Sequence, residues 1–146
     1  MGLLDSLRRC DVTLVRGNHD TIIGPIAARR EVKVVEEVRL GTTLVVHGDR
    51  VPEKLEDIKT IVIGHEHPCI ALEEEGRIEK VKCFLVGRWR ERNLIVLPSL
   101  NFVTEGVDVL REQLQSPLLQ GDIGDFKAIG VEEGRILDFG KLRNIL

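Results

Sequence analysis

The four histidines of this chain are the side chains best suited to metal binding or acid–base chemistry. Each follows a short apolar run of the kind that forms a buried strand. Open α/β sheets place their ligand sites at the carboxyl ends of strands, so we expect the imidazoles to converge in one pocket. One histidine so placed is more often an ordinary surface or core residue, but chance is a poor explanation for four. They are His19, His47, His65 and His67.

Asn18 adds a hard oxygen donor, in the sequence Gly-Asn-His-Asp at 17–20. An amide oxygen combined with imidazole nitrogens suits Mn²⁺, Fe or Zn²⁺ better than a metal selected by thiolates. Asp20 and Asp49 follow the first two histidines closely, where carboxylates can orient imidazoles through hydrogen bonds. The residue types therefore predict a site for a divalent transition metal.

The sequence Gly-His-Glu-His at 64–67 places two imidazoles two residues apart. On an extended backbone this spacing points His65 and His67 to the same side. We therefore expect the two histidines to bind at neighbouring metal positions.

Three segments together, 17–20, 47–49 (His-Gly-Asp) and 64–67, resemble in order and spacing the last three motifs of the calcineurin-like metallophosphoesterases. The resemblance extends over about residues 12–104. The stretches Leu-Pro-Ser-Leu-Asn at 97–101 and Ser-Pro-Leu-Leu at 116–119 look most like the SbcD-related archaeal and bacterial phosphoesterases.

This resemblance implies hydrolysis of a phosphomonoester or phosphodiester by metal-activated water, with a phosphate ester, nucleic acids included, as the partner. It implies that His19 acts on the scissile phosphate as an acid or charge stabiliser and that Asp20 orients it. The implied ligands are Asn18, His47 and His65 for the second metal and His67 for the first.

The family's two earlier motifs, Asp-x-His and Gly-Asp-x-x-Asp, have no counterpart before the strand predicted at 12–15. The sequence Gly-Asp-Ile-Gly-Asp at 121–125 has the letters of the second motif, but a weak strand precedes it, and we interpret it as a turn. We therefore expect one bound ion rather than two. The alternative is a non-catalytic scaffold on the same fold, for which the retromer subunit of this family is a precedent.

The helices and strands predicted around these residues indicate a single domain, residues 1–146. We expect a partial metallophosphoesterase-type layered α/β sandwich that has a mixed sheet and lacks the N-terminal strands. The strand at 12–15 would then have an open edge, so we expect a homo-oligomer that covers it. The predicted helices span 1–9, 22–30 and 52–58, and the segment 107–114 is helical at best. The predicted strands span 12–15, 32–40, 42–46, 61–63 and 94–97. Two hairpins are predicted within 70–86 and 128–139.

Composition restricts the remaining function classes. A net charge of −3 argues against a nucleic-acid or membrane binder held by bulk charge. No apolar run approaches the roughly 20 residues of a membrane span, and no signal peptide is evident, so we expect a cytoplasmic protein without membrane contact.

The three cysteines are far apart in the sequence, and we interpret them as small buried hydrophobic residues. Arg-Trp-Arg-Glu-Arg at 88–92 reads as a charged hairpin loop rather than as a base-stacking site.

Overall fold

Most of the chain is β-strand. The computed structural model describes residues 3–7 and 9–145. Its elements within those ranges are α1 (Leu3–Ser6), β1 (Thr13–Val15), α2 (Ile23–Ala28), β2 (Lys33–Val35), β3 (Glu37–Leu40), β4 (Thr43–Val46), β5 (Thr60–Ile63), β6 (Pro68–Glu74), β7 (Arg77–Trp89), β8 (Arg92–Val96), β9 (Val107–Asp108), β10 (Lys127–Glu132), β11 (Arg135–Lys141), and two 3₁₀ turns at Pro117–Leu119 and Leu142–Asn144.

The main sheet has the strand order β11-β10-β7-β8-β5-β4-β3. Strands β4, β5 and β8 are parallel neighbours at its centre, and the flanking pairs are antiparallel. One face of the central strands is fully buried, with Ile61, Ile63, Leu94 and Val96 in the core, whereas the residues that alternate with them are half-buried or exposed. The predicted mixed sheet is therefore confirmed. The two α-helices, of four and six residues, are too short to support the predicted α/β class.

Parallel pairing at the centre fixes where the loops leave the sheet. Strands β4 and β5 run side by side, with Val46 opposite Ile63, so the loops that follow them start at the same edge. A tight contact holds these loops together: a Cβ on Gly48, whose φ is +105°, would lie 2.8 Å from the Cβ of Ile63. The backbone after β4 can therefore approach β5 closely only because residue 48 is glycine.

Strands β1 and β2 form a separate two-stranded parallel sheet, connected through α2. In the part of the chain that the structure describes, β2 is the one strand partner of β1. Leu14 and Val15 are only half-buried. The open edge is the feature from which we predict pairing with a second copy of the chain, and that pairing stays a prediction.

The predicted helix at 52–58 is wrong. Arg39 donates to the carbonyls of Glu53 and Lys54, which a helix would use for its own hydrogen bonds. Arg92 donates to the carbonyls of Leu55 and Ile58 and holds the end of the segment in place. Lys54 is also in the left-handed region, with φ of +56°. The backbone is therefore satisfied as an irregular loop.

The other predicted elements are found with shifted limits. The strand predicted at 32–40 is divided into β2 and β3, which pair in different sheets. The segment 107–114 begins as β9 and continues in turns, not as a helix. Both predicted hairpins are confirmed, as β6–β7 and β10–β11, and 121–125 contains a turn. The predicted helix at 1–9 is seen at Leu3–Ser6, and residues 1, 2 and 8 lie outside the described ranges. No helix in those ranges is long and apolar enough to cross a membrane.

Only one of the three thiols should react in the folded protein. Burial raises the pKa of Cys69 to about 11 and that of Cys83 to about 12. Cys10 is exposed, so its predicted burial is wrong. Because the thiolate is the nucleophile, the two buried thiols stay unreactive at mildly alkaline pH. Iodoacetamide followed by intact-mass spectrometry should add one label to the native chain and three to the denatured chain. A Cys10→Ser variant should take none when folded; rapid double labelling of the native chain would contradict the burial.

Candidate metal centre

Three loops bring the side chains of Asn18, His47 and His65 into contact. The Nε2 atom of His47 lies 2.9 Å from Oδ1 of Asn18 and 3.0 Å from Nδ1 of His65. The two imidazole rings are edge-on, with centroids 4.8 Å apart and an interplanar angle of 74°. His47 directly follows β4, and the other two residues follow β1 and β5 closely, so the predicted convergence at strand ends is seen for these three.

Hydrogen bonding accounts for this group only if one Nε2 proton is shared between two acceptors. The Nε2 atom of a neutral imidazole carries either one proton or one lone pair, so it can serve one partner well. Here two atoms approach it within 3.0 Å, and the amide oxygen among them can only accept. A cation shared by all three atoms would satisfy every lone pair at once. Tetrahedral bonds of about 2.0–2.1 Å place ligand atoms roughly 3.3 Å apart, close to the separations observed.

The donor set fits a borderline metal ion. Within residues 3–7 and 9–145, no three His, Cys, Asp or Glu side chains stand together as a metal-binding group. Asn18, His47 and His65 form a group of three ligands, which we call the trio, only because the amide oxygen of Asn18 joins the two imidazole nitrogens. Such a mixture suits Mn²⁺, Fe or Zn²⁺ and leaves coordination positions for water and substrate.

The electrostatics keep two of the histidines in the form that binds metal. Burial is the largest cause of the lowered pKa of His47, and His65 adds to it, against the opposing charges of Asp49 and Asp20. Burial also lowers the pKa of His67, with smaller contributions from His65 and Lys82. A lowered pKa favours the neutral imidazole, which is the ligand form.

The backbone from 64 to 67 is not extended, so the premise on which we expect the two imidazoles to point to the same side is wrong. His65 and His67 have φ values of +56° and +52°, in the left-handed region. The amide of Glu66 donates to the carbonyl of Gly64 at 2.6 Å, which closes a three-residue turn around His65. Such conformations cost roughly 1–3 kcal/mol and persist only where the surroundings enforce them. They place His65 next to His47, while the charge of His67 contributes to the lowered pKa of His47.

Glu66 and Ser116 hold this turn in place, and the sequence analysis missed both roles. The Glu66 carboxylate is 2% exposed and accepts from the amides of Gln115 and Ser116, at 3.0 and 2.7 Å through Oε2. The Ser116 hydroxyl, fully buried, donates to the Gly48 carbonyl at 2.6 Å. These bonds connect the His65 loop to the His47 loop. An acidic residue between two histidines was a visible signal, but its partners lie 50 residues away.

His19 and Asp20 directly follow Asn18 in the loop after β1. Both are exposed, and Oδ2 of Asp20 accepts from the Gly17 amide at 2.8 Å, which fixes the turn that carries Asn18. Through its charge, Asp20 also favours the protonated form of His47. The orientation of His19 by Asp20 stays a prediction.

A cleft of about 380 Å³ opens beside His47. Glu36 lies between two arginines on its wall, 3.6 Å from Arg16 and 3.7 Å from Arg50. Three further carboxylates line it, so the lining is acidic overall, and it should raise the local concentration of cations next to the donor atoms. They are Glu37, Asp49 and Glu53.

Comparisons with protein-family models, with curated proteins and with solved structures gave no match. The site is therefore interpreted from its geometry and from the three motifs in the sequence.

Proposed function

We propose that this chain is a metal-dependent phosphoesterase that hydrolyses a phosphomonoester or phosphodiester. The observation that carries the proposal is the contact of Asn18 Oδ1, His47 Nε2 and His65 Nδ1 at distances of 2.9 and 3.0 Å. These three atoms would hold one Mn²⁺, Fe or Zn²⁺ ion. When bound, a divalent ion polarises the phosphate ester and lowers the pKa of water, which supplies a nucleophile at neutral pH.

The protein's own part is to hold neutral donor atoms in a fixed arrangement. Burial keeps the pKa of His47 low, and the Glu66–Ser116 bonds fix the two histidine loops against each other. We propose that His19, next to Asn18 in sequence and exposed to solvent, donates a proton to the leaving oxygen or stabilises charge on the phosphate.

We propose one ion rather than two. His67 is the single residue that the motif resemblance gives to a first metal, and the described residues contain no His, Cys, Asp and Glu group of three that would hold an ion there. The partner is a phosphate ester, with nucleic acids among the candidates.

Hydrolysis of bis-p-nitrophenyl phosphate with Mn²⁺ tests the proposal. We expect metal-dependent turnover, and we expect His19→Ala to lower it about 100-fold, the low end of what a general acid contributes. Because His19 is not in the trio, Mn²⁺ affinity should stay unchanged in this variant. Equal and negligible turnover in both proteins would contradict the proposal and favour the scaffold alternative.

A further inference from the structure

A second cleft, of about 360 Å³, lies at the turn between β7 and β8. Its charged lining consists of four basic side chains and one acidic one, Glu91, on a chain whose net charge is −3. The basic residues are Lys59, Arg88, Arg90 and Arg92, and we call this feature the cationic cleft. Such segregation of charge creates a local positive potential that the overall composition conceals.

The cationic cleft is separate from the candidate metal centre. Lys59 and Arg92 stand at the amino ends of β5 and β8, whereas His47 and His65 follow the carboxyl ends of β4 and β5. A strand of four residues spans roughly 13 Å at about 3.3 Å per residue. A ligand in the cleft would therefore not touch the metal-binding side chains directly.

Two of the guanidinium groups are held in position before any ligand arrives. Arg92 donates through Nε to the carbonyl of Ile58 at 2.9 Å and through Nη2 to that of Leu55 at 2.8 Å. Arg88 donates to Oδ1 of Asn93 at 3.3 Å and to the carbonyl of Glu91. Pre-ordered side chains lose less entropy on binding, which favours affinity for an anion.

A half-buried aromatic group, Trp89, adjoins these charges and packs against the hydrophobic core. The Arg90 guanidinium lies over the Trp89 ring, 4.5 Å from its centroid. Arginine planes and aromatic rings both stack on nucleobases, while basic side chains bind the phosphates of the same strand. Two alternative ligands fit less well. A small phosphate would contact only the charged groups, and an acidic peptide has no planar base that could stack here.

We propose that the cationic cleft binds single-stranded nucleic acid, its phosphates on the four basic side chains and one base stacked on the Arg90 guanidinium, which lies over Trp89. This revises the interpretation of 88–92 as an ordinary charged loop. The revision rests on Lys59, which the fold brings from a different strand to the same cleft. The proposal does not depend on the metal centre.

Trp89 makes the test specific. The chain has one tryptophan and no tyrosine, so its indole emission reports on this turn. We expect a short oligothymidylate, added in EDTA to prevent hydrolysis, to quench that emission. Three or four phosphate contacts predict that log K falls with log salt at a slope of about −2 to −3. No quenching at low salt would overturn the proposal.

Charge variants and competing polyanions complete the test. In both cases the anisotropy of a fluorescein-labelled oligothymidylate measures binding. Lys59→Glu should weaken binding at least tenfold, while Arg135→Glu, an exposed residue at the start of β11, should leave it unchanged. His47→Ala should also bind normally, which keeps this result distinct from that of the phosphoesterase test. Inorganic polyphosphate or polyglutamate that competes as well as the oligonucleotide would overturn the proposal, as would normal binding by Lys59→Glu.

Discussion

Replacement of His47 by alanine should weaken Mn²⁺ binding by more than about 100-fold and reduce metal-dependent hydrolysis to the buffer background. His47 Nε2 is the central atom of the trio, in contact with both other donors. Residues that only support a metal ligand already contribute 10–100-fold to affinity, so loss of a direct ligand should exceed that range. Isothermal titration of metal-free protein with MnCl₂ measures the affinity, and His19→Ala is the matched control that should bind normally.

The stability of the same variant separates a metal site from an ordinary hydrogen-bonded cluster. If the two contacts were hydrogen bonds, their loss would cost about 1 kcal/mol each. If they are three ligand atoms brought together without their cation, removing the central one relieves repulsion. We therefore expect His47→Ala in EDTA to match or exceed the wild type in its free energy of unfolding by urea. A loss of about 2 kcal/mol, together with Mn²⁺ binding like that of the wild type, would refute the assignment.

Replacement of Glu66 by alanine should produce a large loss of stability, about 3 kcal/mol. The carboxylate is buried and accepts from two backbone amides, which the substitution would leave without a partner. Urea unfolding measures the loss. Glu66→Gln keeps the shape and one acceptor oxygen, so it should lose only about 1 kcal/mol. Glu74→Ala, at an exposed position of β6, should stay within about 0.5 kcal/mol of the wild type.

The Glu66 variants should also affect the metal centre although Glu66 is not a ligand. The carboxylate fixes the loop that carries His65, and Ser116 connects that loop to Gly48, next to His47. We expect Glu66→Gln to lower Mn²⁺ affinity 10–100-fold while the protein remains folded at the temperature of the titration. Unchanged affinity in the folded Gln variant would limit Glu66 to a role in stability.

Local pattern was sufficient to predict most of the strands and the mixed character of the sheet. Strands β5 and β8 are short apolar runs bounded by glycine or proline, and the two hairpins have turn residues between alternating segments, so their signals are contained in a few neighbouring residues. The placement of Asn18, His47 and His65 at strand ends followed from the same pattern. The helix predicted at 52–58 failed because Arg39, from another part of the chain, takes two carbonyls that the helix would use.

What the sequence by itself determined is which residue types follow which strands, and therefore the candidate donor atoms and their chemistry. Only the tertiary structure decided their geometry: that the turn at His65 is left-handed, that Glu66 meets the amides at 115–116, and that Lys59 joins the arginines of the β7–β8 turn. The physical reason is the sequence separation over which each kind of interaction acts. Strand formation depends on side-chain patterns over a few residues, whereas buried hydrogen bonds and clustered charges join residues tens of positions apart, and no local pattern records those partners.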